Sequence, residues 1–187
     1  ATAHPPTVVF GQALATSEES PVRTFLIHRA LKVLQSNAAA FARTAPIDLW
    51  PLLAAYLKVM NPSFTPTGVD AAKLNEAHTR LARVKPAGLA PDVSTLAADV
   101  IGNIGNRAST LNTAVNGWGA RAALLAIADP NVALSAIALA SGAMNGPPAE
   151  GKDRVTWVGR NAEARDLIVF SVSDAYSDAR ARLGLAG

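Results

Sequence analysis

Apolar residues recur at helical spacing along most of this chain. In the stretch "PVRTFLIHRALKVL", which begins at Pro21, they include Phe25, Leu26, Leu31 and Leu34. This spacing places them on one face of a helix. Similar apolar segments, interrupted by Gly, Pro and Asn, continue to the closing "SDAYSDARARLGL". The pattern predicts a mainly α protein with seven or eight helices around one core.

Capping residues locate several helix ends. Asp129 followed by Pro130 predicts the start of the helix "NVALSAIALASG", and Gly142 is its expected C-terminal cap. Ser173 or Asp174 can cap the last helix. These residue types satisfy the backbone groups that a helix leaves unbonded at its ends.

The start of the helix in "TAPIDLWPLLAAYLKVM" has two interpretations. Thr44 can cap a helix that has Pro46 in its first turn. Pro51 is unfavourable inside such a helix, and this favours a start at Trp50 with Asp48 as the cap.

Three further elements follow from local composition. The run "TVVF" at residues 7–10, bounded by Pro6 and Gly11, predicts a short N-terminal strand or hairpin. Asp92 is the expected cap of a helix that runs through "STLAADVIGNIGNRASTLNTAV", and "GWGARAALLAIADP" is apolar on most faces and therefore central. The turn formers of "NGPPAEGKD" predict an exposed loop before the last two helices.

Composition limits the classes of protein that remain. The 187 residues fit a single helical domain over 1–187, and the aromatic share of 5% predicts a core of Ala, Leu, Val and Ile. The net charge of +3 comes from 17 basic and 14 acidic residues without a run of like charge, which argues against a nucleic-acid partner. The chain begins without Met, and we expect a segment excised from a larger protein.

The absence of cysteine excludes a disulfide framework, a thiolate nucleophile and a Cys-ligated metal. It fits a reducing compartment, and a cytoplasmic location is therefore expected. No apolar run approaches the roughly 18 residues of a membrane span, so membrane insertion is not expected.

Histidine is the residue type with most catalytic potential, and the chain has His4, His28 and His78. His4 and His78 lie in polar surroundings that favour a surface role. On a helix, His28 and position 32 face the same way and could share a zinc ion, with a general base at position 29. Those positions hold Lys32 and Arg29, whose charges repel zinc. The residues therefore predict no catalytic metal and no cofactor.

The order of these segments nevertheless resembles a known family. "TVVFGQALATSEESPVRTFLIHRALKVL" is similar to the active-site region of zinc metallopeptidases of the CAAX-prenyl-protease and heat-shock-protease type, in which a strand and a Ser/Glu-rich loop precede a His-Glu-x-x-His helix. The downstream "NGWGARAALL" resembles that family's second helix, Glu-x-x-Ala-Asp-Arg-Ala-x-Leu-Leu, whose Glu is the third zinc ligand. Asn116 stands at the ligand position and Ala120 at the Asp position, whereas Arg121 is kept.

The resemblance implies a zincin-like α+β remnant that has lost its chemistry. Arg29 replaces the catalytic Glu, Lys32 the second His and Asn116 the ligand Glu, so that only His28 survives. These vestigial metal-site positions should lie close together without metal. The chain also resembles degenerate copies within large tetratricopeptide-repeat proteins of myxobacteria. The resemblance implies a non-catalytic pseudopeptidase, and it does not itself imply a use. We expect a structural or protein-interaction module, with a protein partner or flanking domains of the same chain, since a fold can lose its site and keep its surface.

Two alternatives remain. The first is a metal-independent enzyme or residual hydrolase with an unrecognised site, which would draw on His28, Asn116, Arg121 and Asp166. Their spacing does not make them a constellation.

The second alternative is a partner-binding helical module in a regulatory or motility complex. Its apolar anchors would come from the tryptophans Trp50, Trp118 and Trp157, although packing in the core is the favoured interpretation of each.

Overall fold

The computed structural model describes residues 8–9, 11–12, 20–84, 91–142, 146–149 and 151–185. Most of these residues lie in helices, and the mainly α class is therefore confirmed. Ten α-helices and one 3-10 helix follow one another along the described residues. In chain order they are α1 (Pro21–Gln35), α2 (Ala39–Arg43), α3 (Pro46–Met60), α4 (Ala71–Ala82), α5 (Pro91–Ile104), the 3-10 helix (Gly105–Ala108), α6 (Ser109–Ile127), α7 (Pro130–Ala140), α8 (Gly151–Arg160), α9 (Ala162–Ser171) and α10 (Asp174–Arg182).

The strand expected at residues 7–10 falls largely outside the described residues. Val8 and Val9 are described and belong to neither a helix nor a strand.

Two helix starts are confirmed by the hydrogen bonds of their caps. The Asp129 carboxylate accepts hydrogen bonds from the backbone N–H groups of Asn131, at 2.8 Å, and Val132, at 3.2 Å. The Ser173 hydroxyl oxygen accepts one from the N–H of Tyr176, at 3.3 Å. Each cap satisfies donors in the first turn that have no partner within the helix.

The start of α3 differs from the preferred prediction. The helix begins at Pro46 and runs through Pro51, and Ala45 precedes it without a side-chain cap. The ring of Pro51 deprives the carbonyl oxygen of Ile47 of its intrahelical donor. Ile47 is exposed, and water can supply that donor instead. A start at Trp50 was therefore wrong, because the cost of the proline is small near the first turn.

The segment from 91 to 127 is also divided at a different place. The α-helical conformation is interrupted at Gly105, whose φ of +51° lies in the left-handed region. Pro91 starts α5, which places Asp92 in the first turn rather than at the cap. Gly117 and Gly119, the expected start of a separate helix, lie inside α6.

The C-terminal region contains three helices instead of the expected two. The loop "NGPPAEGKD" is shorter than predicted, because α8 already begins at Gly151. Asn161 then starts α9, and its side chain accepts a hydrogen bond from the N–H of Ala164 at 3.0 Å. A capping side chain at this position separates α8 from α9.

The chain divides into two compact units. The first unit comprises Ala1–Ala40 and Val115–Gly187, and the second comprises Phe41–Ala114. Among the described residues, the buried apolar side chains form one cluster in each unit, whereas one core was expected. Helical periodicity identifies the apolar face of each helix, but it does not identify the other helix against which that face packs.

The core of the first unit is built where α1 and α9 pack against α7, and α8 packs against α9. Alanines supply half of its buried residues, and helices can therefore approach closely. The buried cluster consists of Phe25, Ala120, Ala123, Leu124, Ala133, Leu134, Ala136, Ile137, Ala164 and Leu167.

Gly119 lies at a close contact of α6 with α1. A Cβ atom at this position would lie 3.0 Å from the carbonyl oxygen of Arg29 and 3.0 Å from Cγ2 of Val33. Both distances are shorter than ordinary van der Waals contact. Glycine therefore allows α6 to lie against the part of α1 that carries Arg29.

The second unit is organised around α3, which packs against α4, α5 and the 3-10 helix. Its cluster of buried residues is Leu49, Trp50, Ala54, Ala55, Leu74 and Ala108. The amide nitrogen of Asn112 donates to the carbonyl oxygens of Phe41, Ala42 and Thr44 at 3.0, 2.9 and 3.0 Å. These bonds join α6 to the last turn of α2 and to Thr44, which follows that helix.

Candidate functional site

Arg29 joins α1 to two other helices of the first unit. Its Nη2 donates a hydrogen bond to Oδ1 of Asn116, on α6, at 3.1 Å. The same nitrogen lies 2.8 Å from Oε1 of Glu163, on α9. The side chains of Arg29 and Glu163 are only 16% and 20% exposed. The guanidinium is thus held between an amide and a carboxylate in a partly dry environment, where charge interactions are stronger than in water.

Glu163 is an acid in an unfavourable environment. Its Oε1 is buried and has no hydrogen-bond partner among the described residues, although Nη2 of Arg29 lies 2.8 Å away. Burial raises the pKa of Glu163 above its ordinary value of 4.5. The charge of Arg29 lowers this pKa and the charge of Asp166 raises it, both less strongly than burial.

A second ion pair lies beside the first. Arg121 donates from Nε to Oδ2 of Asp166 at 3.1 Å and from Nη2 to Oδ1 at 2.5 Å. This two-point geometry is the strongest that a guanidinium and a carboxylate can adopt. The guanidinium carbon also lies 5.2 Å from the centre of the Phe170 ring. Arg121 is thereby fixed at one orientation on the surface of α6.

Lys32 lies over an exposed tryptophan. Its Nζ is 4.7 Å from the centre of the Trp118 ring and 3.2 Å from Oε1 of Gln35. Trp118 is 46% exposed, which is unusual for the largest apolar side chain. The cation and the ring attract each other because the face of the ring carries negative charge.

Two shallow grooves lie on the surface of the first unit and share Lys32 and Ala122. The smaller, of about 390 Å³, is lined by His28, Leu31, Lys32, Gln35 and Ala122. The larger, of about 490 Å³, is called here the Trp118 groove. It is lined by Lys32, Trp118, Arg121, Ala122, Leu125, Ala126, Phe170, Leu183 and Leu185.

The residues expected at the vestigial metal site have different surroundings. Arg29 and Asn116 are in direct contact. His28 is exposed and lines the smaller groove together with Lys32. Consecutive residues of a helix point about 100° apart, which directs His28 and Arg29 to different sides of α1.

The groups considered for an unrecognised enzyme site fall into separate contacts. Arg121 pairs with Asp166, Asn116 accepts from Arg29, and His28 lines the smaller groove. Among the described residues, no group of three or more His, Asp or Glu side chains is placed to hold a metal ion.

The three tryptophans also differ. Trp50 is buried in the second unit, where its Nε1 donates to the carbonyl oxygen of Thr67 at 3.0 Å. Trp157 is partly buried against the core of the first unit. Trp118 alone of the three is a large exposed anchor in the described structure.

Glu163 was not recognised from the sequence. Glu163 and Asp166 are three residues apart on α9. Each is followed directly by a buried residue, Ala164 or Leu167. That spacing indicates an acidic edge beside a core stripe. The spacing does not reveal which basic residue the acids meet, because Arg29 lies far away in the sequence.

Comparisons with known proteins found no matching family model, no matching curated protein and no matching solved structure. None of the described helices is both long enough and apolar enough to cross a membrane.

Proposed function

We propose that this chain is a non-catalytic helical module, a pseudopeptidase domain that serves a structural or protein-interaction role within a larger bacterial protein. The observation that carries the proposal is the contact of Arg29 with Asn116 and Glu163. In the metallopeptidase resemblance, position 29 is that of the general base and position 116 that of the third zinc ligand.

The charge of Arg29 is the physical reason for the loss of chemistry. A guanidinium stays protonated at any physiological pH, and it can neither accept a proton nor ligate a cation. Its contact with Asn116 also uses the amide oxygen at the former ligand position. A metal ion at this point would face a fixed positive charge at short range.

The same contact gives the residues a structural role. Arg29 links α1 to α6 and α9, and Gly119 allows the close approach of α1 and α6 that the link needs. A scaffold can keep its packing and surface after its site is lost, because function depends on a few side chains and the fold on many. The mainly helical surface then remains available for protein contacts.

Restoring the family's residues tests the proposal. A variant with Arg29→Glu, Lys32→His and Asn116→Glu would regain the ligand set that the resemblance implies around His28. We expect it to bind zinc in calorimetric titration, whereas the wild-type chain and the single variant Asn116→Glu do not. Far-UV circular dichroism controls for folding.

A peptidase assay completes the experiment. With fluorogenic peptides and added zinc, the wild-type chain should show no turnover. Zinc-dependent turnover by the wild-type chain would overturn the proposal. If the triple variant folds but does not bind zinc, the proposed metallopeptidase ancestry is contradicted.

A further inference from the structure

We propose that the Trp118 groove binds an acidic, amphipathic helical segment of a partner protein. This inference rests on the proposed function and names the surface and the partner class that the module would use. Three features of the groove carry it: an apolar floor, a cationic border and a concave shape formed by several elements.

The floor of the groove is unusually apolar for a solvated surface. Trp118 is 46% exposed, and Leu183 and Leu185 are 60% and 39% exposed. The other apolar lining residues are Ala122, Leu125, Ala126 and Phe170. Contiguous exposed apolar side chains of this size are typical of interaction sites. Tryptophan is moreover the residue type most enriched among the side chains that dominate binding energy.

Arg180 connects the backbone at Leu125 and Leu185, two residues that line the groove. Its Nη1 donates to the carbonyl oxygen of Leu125 at 2.9 Å, and its Nη2 donates to the carbonyl oxygen of Leu185. The guanidinium carbon also lies 5.8 Å from the centre of the Tyr176 ring. This part of the groove is thus formed before a partner binds, and less conformational entropy is lost on binding.

The charged side chains that line the groove are basic. Lys32 and Arg121 line it, and none of the described lining residues is acidic. Asp166 neutralises Arg121. Lys32 contacts Gln35 and the Trp118 ring, which carry no charge, and forms no ion pair with a carboxylate of the described residues. Since such a cation favours an incoming anion, the complementary partner carries carboxylates beside its apolar residues.

The shape favours a helix over a flat surface or a small molecule. The groove is shallow and lies between α1, α6, α9 and the residues after α10. Membrane-surface segments use the apolar face of an amphipathic helix rather than a groove between several elements. Small-molecule sites usually enclose most of their ligand. An amphipathic helix, by contrast, places residues spaced by three and four into such a groove.

Labelled peptides provide the test. The acidic probes are helical peptides of about four turns, each with a Leu/Phe stripe flanked by Glu. The basic probes carry the same stripes flanked by Lys. Fluorescence anisotropy with the full chain should show saturable binding of an acidic probe and much weaker binding of its basic counterpart.

Variants locate the binding on the groove. Trp118→Ala should weaken binding of the acidic probe by roughly 30-fold, as for a dominant anchor. Lys32→Glu should weaken it by about tenfold and improve binding of the basic probe. On α8 of the same unit, the exposed Val155→Ala and Lys152→Glu are matched controls and should leave both affinities unchanged.

Each other outcome overturns the inference. The inference fails if no acidic probe binds or if acidic and basic probes bind equally well. It also fails if Trp118→Ala leaves the binding unchanged. Preferential binding to vesicles containing phosphatidylserine would assign the groove to membranes. Self-association that is lost in Trp118→Ala would assign it to a second copy. In all these cases the zinc and peptidase assays still decide the proposed function separately.

Discussion

Arg29 and Asn116 lie 87 positions apart in the chain, and a 3.1 Å hydrogen bond joins their side chains. The bond forms because Gly119 lets α6 lie against α1 beside Arg29. Glu163 then meets the same guanidinium from α9. The side chain of Arg29 thus connects three helices of the first unit.

Removing the positive charge of Arg29 should lower the stability of the folded chain. Arg29→Met keeps an apolar stem but leaves Glu163 without its opposite charge. We expect a loss of about 2–3 kcal/mol in the free energy of unfolding at neutral pH, measured by urea denaturation. The control is Arg80→Met, which breaks an ion pair with Glu76 whose side chains are 77% and 62% exposed. Its loss should stay below about 0.5 kcal/mol, and equal losses would contradict a structural role for Arg29.

The raised pKa of Glu163 predicts a particular pH dependence. A carboxyl whose pKa is higher in the folded state binds more protons there than in the unfolded state. Its contribution to stability is therefore full below its ordinary value of 4.5 and is lost as the pH rises through the folded-state pKa. Relative to Glu163→Gln, the wild-type chain should lose stability across this window.

Urea denaturation of both proteins at several pH values measures the effect. The difference in unfolding free energy should shift in favour of Glu163→Gln as the pH rises, and should level off above the window. The opposite trend would mean that Arg29 outweighs burial.

The close approach of α6 to α1 predicts opposite effects at two helical glycines. Gly119→Ala would push a methyl group against the backbone oxygen of Arg29 and should cost about 1–3 kcal/mol. Gly159→Ala, on α8, meets no atom within 4 Å and should be neutral or stabilising by up to about 1 kcal/mol. Thermal denaturation compares the two, and a harmless Gly119→Ala would contradict the close contact.

Ala128 is strained between α6 and α7. Its φ of +60° lies in the left-handed region, which side chains with a Cβ atom disfavour. Ala128→Gly should therefore raise the unfolding free energy by about 0.5–1 kcal/mol. The exposed Ala126, still within α6, is the control, because Ala126→Gly should lower stability by up to about 1 kcal/mol. Destabilisation by both changes would argue against the left-handed conformation.

Local chemistry explains which parts of the fold were predictable. Asp129 and Ser173 reveal helix starts because their caps act within a few residues. Gly105 and Gly119 are the same residue type, yet one interrupts a helix and the other lies inside one at a close contact. That difference depends on tertiary packing, and the residue type alone does not reveal it.

The candidate site was predictable to a smaller extent. Arg29 and Asn116 were singled out by a resemblance, and the structure places them in contact. Glu163 was missed because its role depends on burial and on a distant partner. The exposure of Trp118 and the burial of Trp50 were not distinguishable either, since an apolar residue alone does not determine the surface that covers it.

The most direct test of the central claim is the zinc content of the purified wild-type chain. The chain would be incubated with excess zinc, dialysed and measured by elemental analysis. If the proposed function is right, the charges of Arg29 and Lys32, at the positions that the resemblance gives to the general base and the second His, predict far less than one equivalent of zinc and a melting temperature that chelators leave unchanged. A tightly bound equivalent of zinc, with a melting temperature that falls on chelation, would contradict the account.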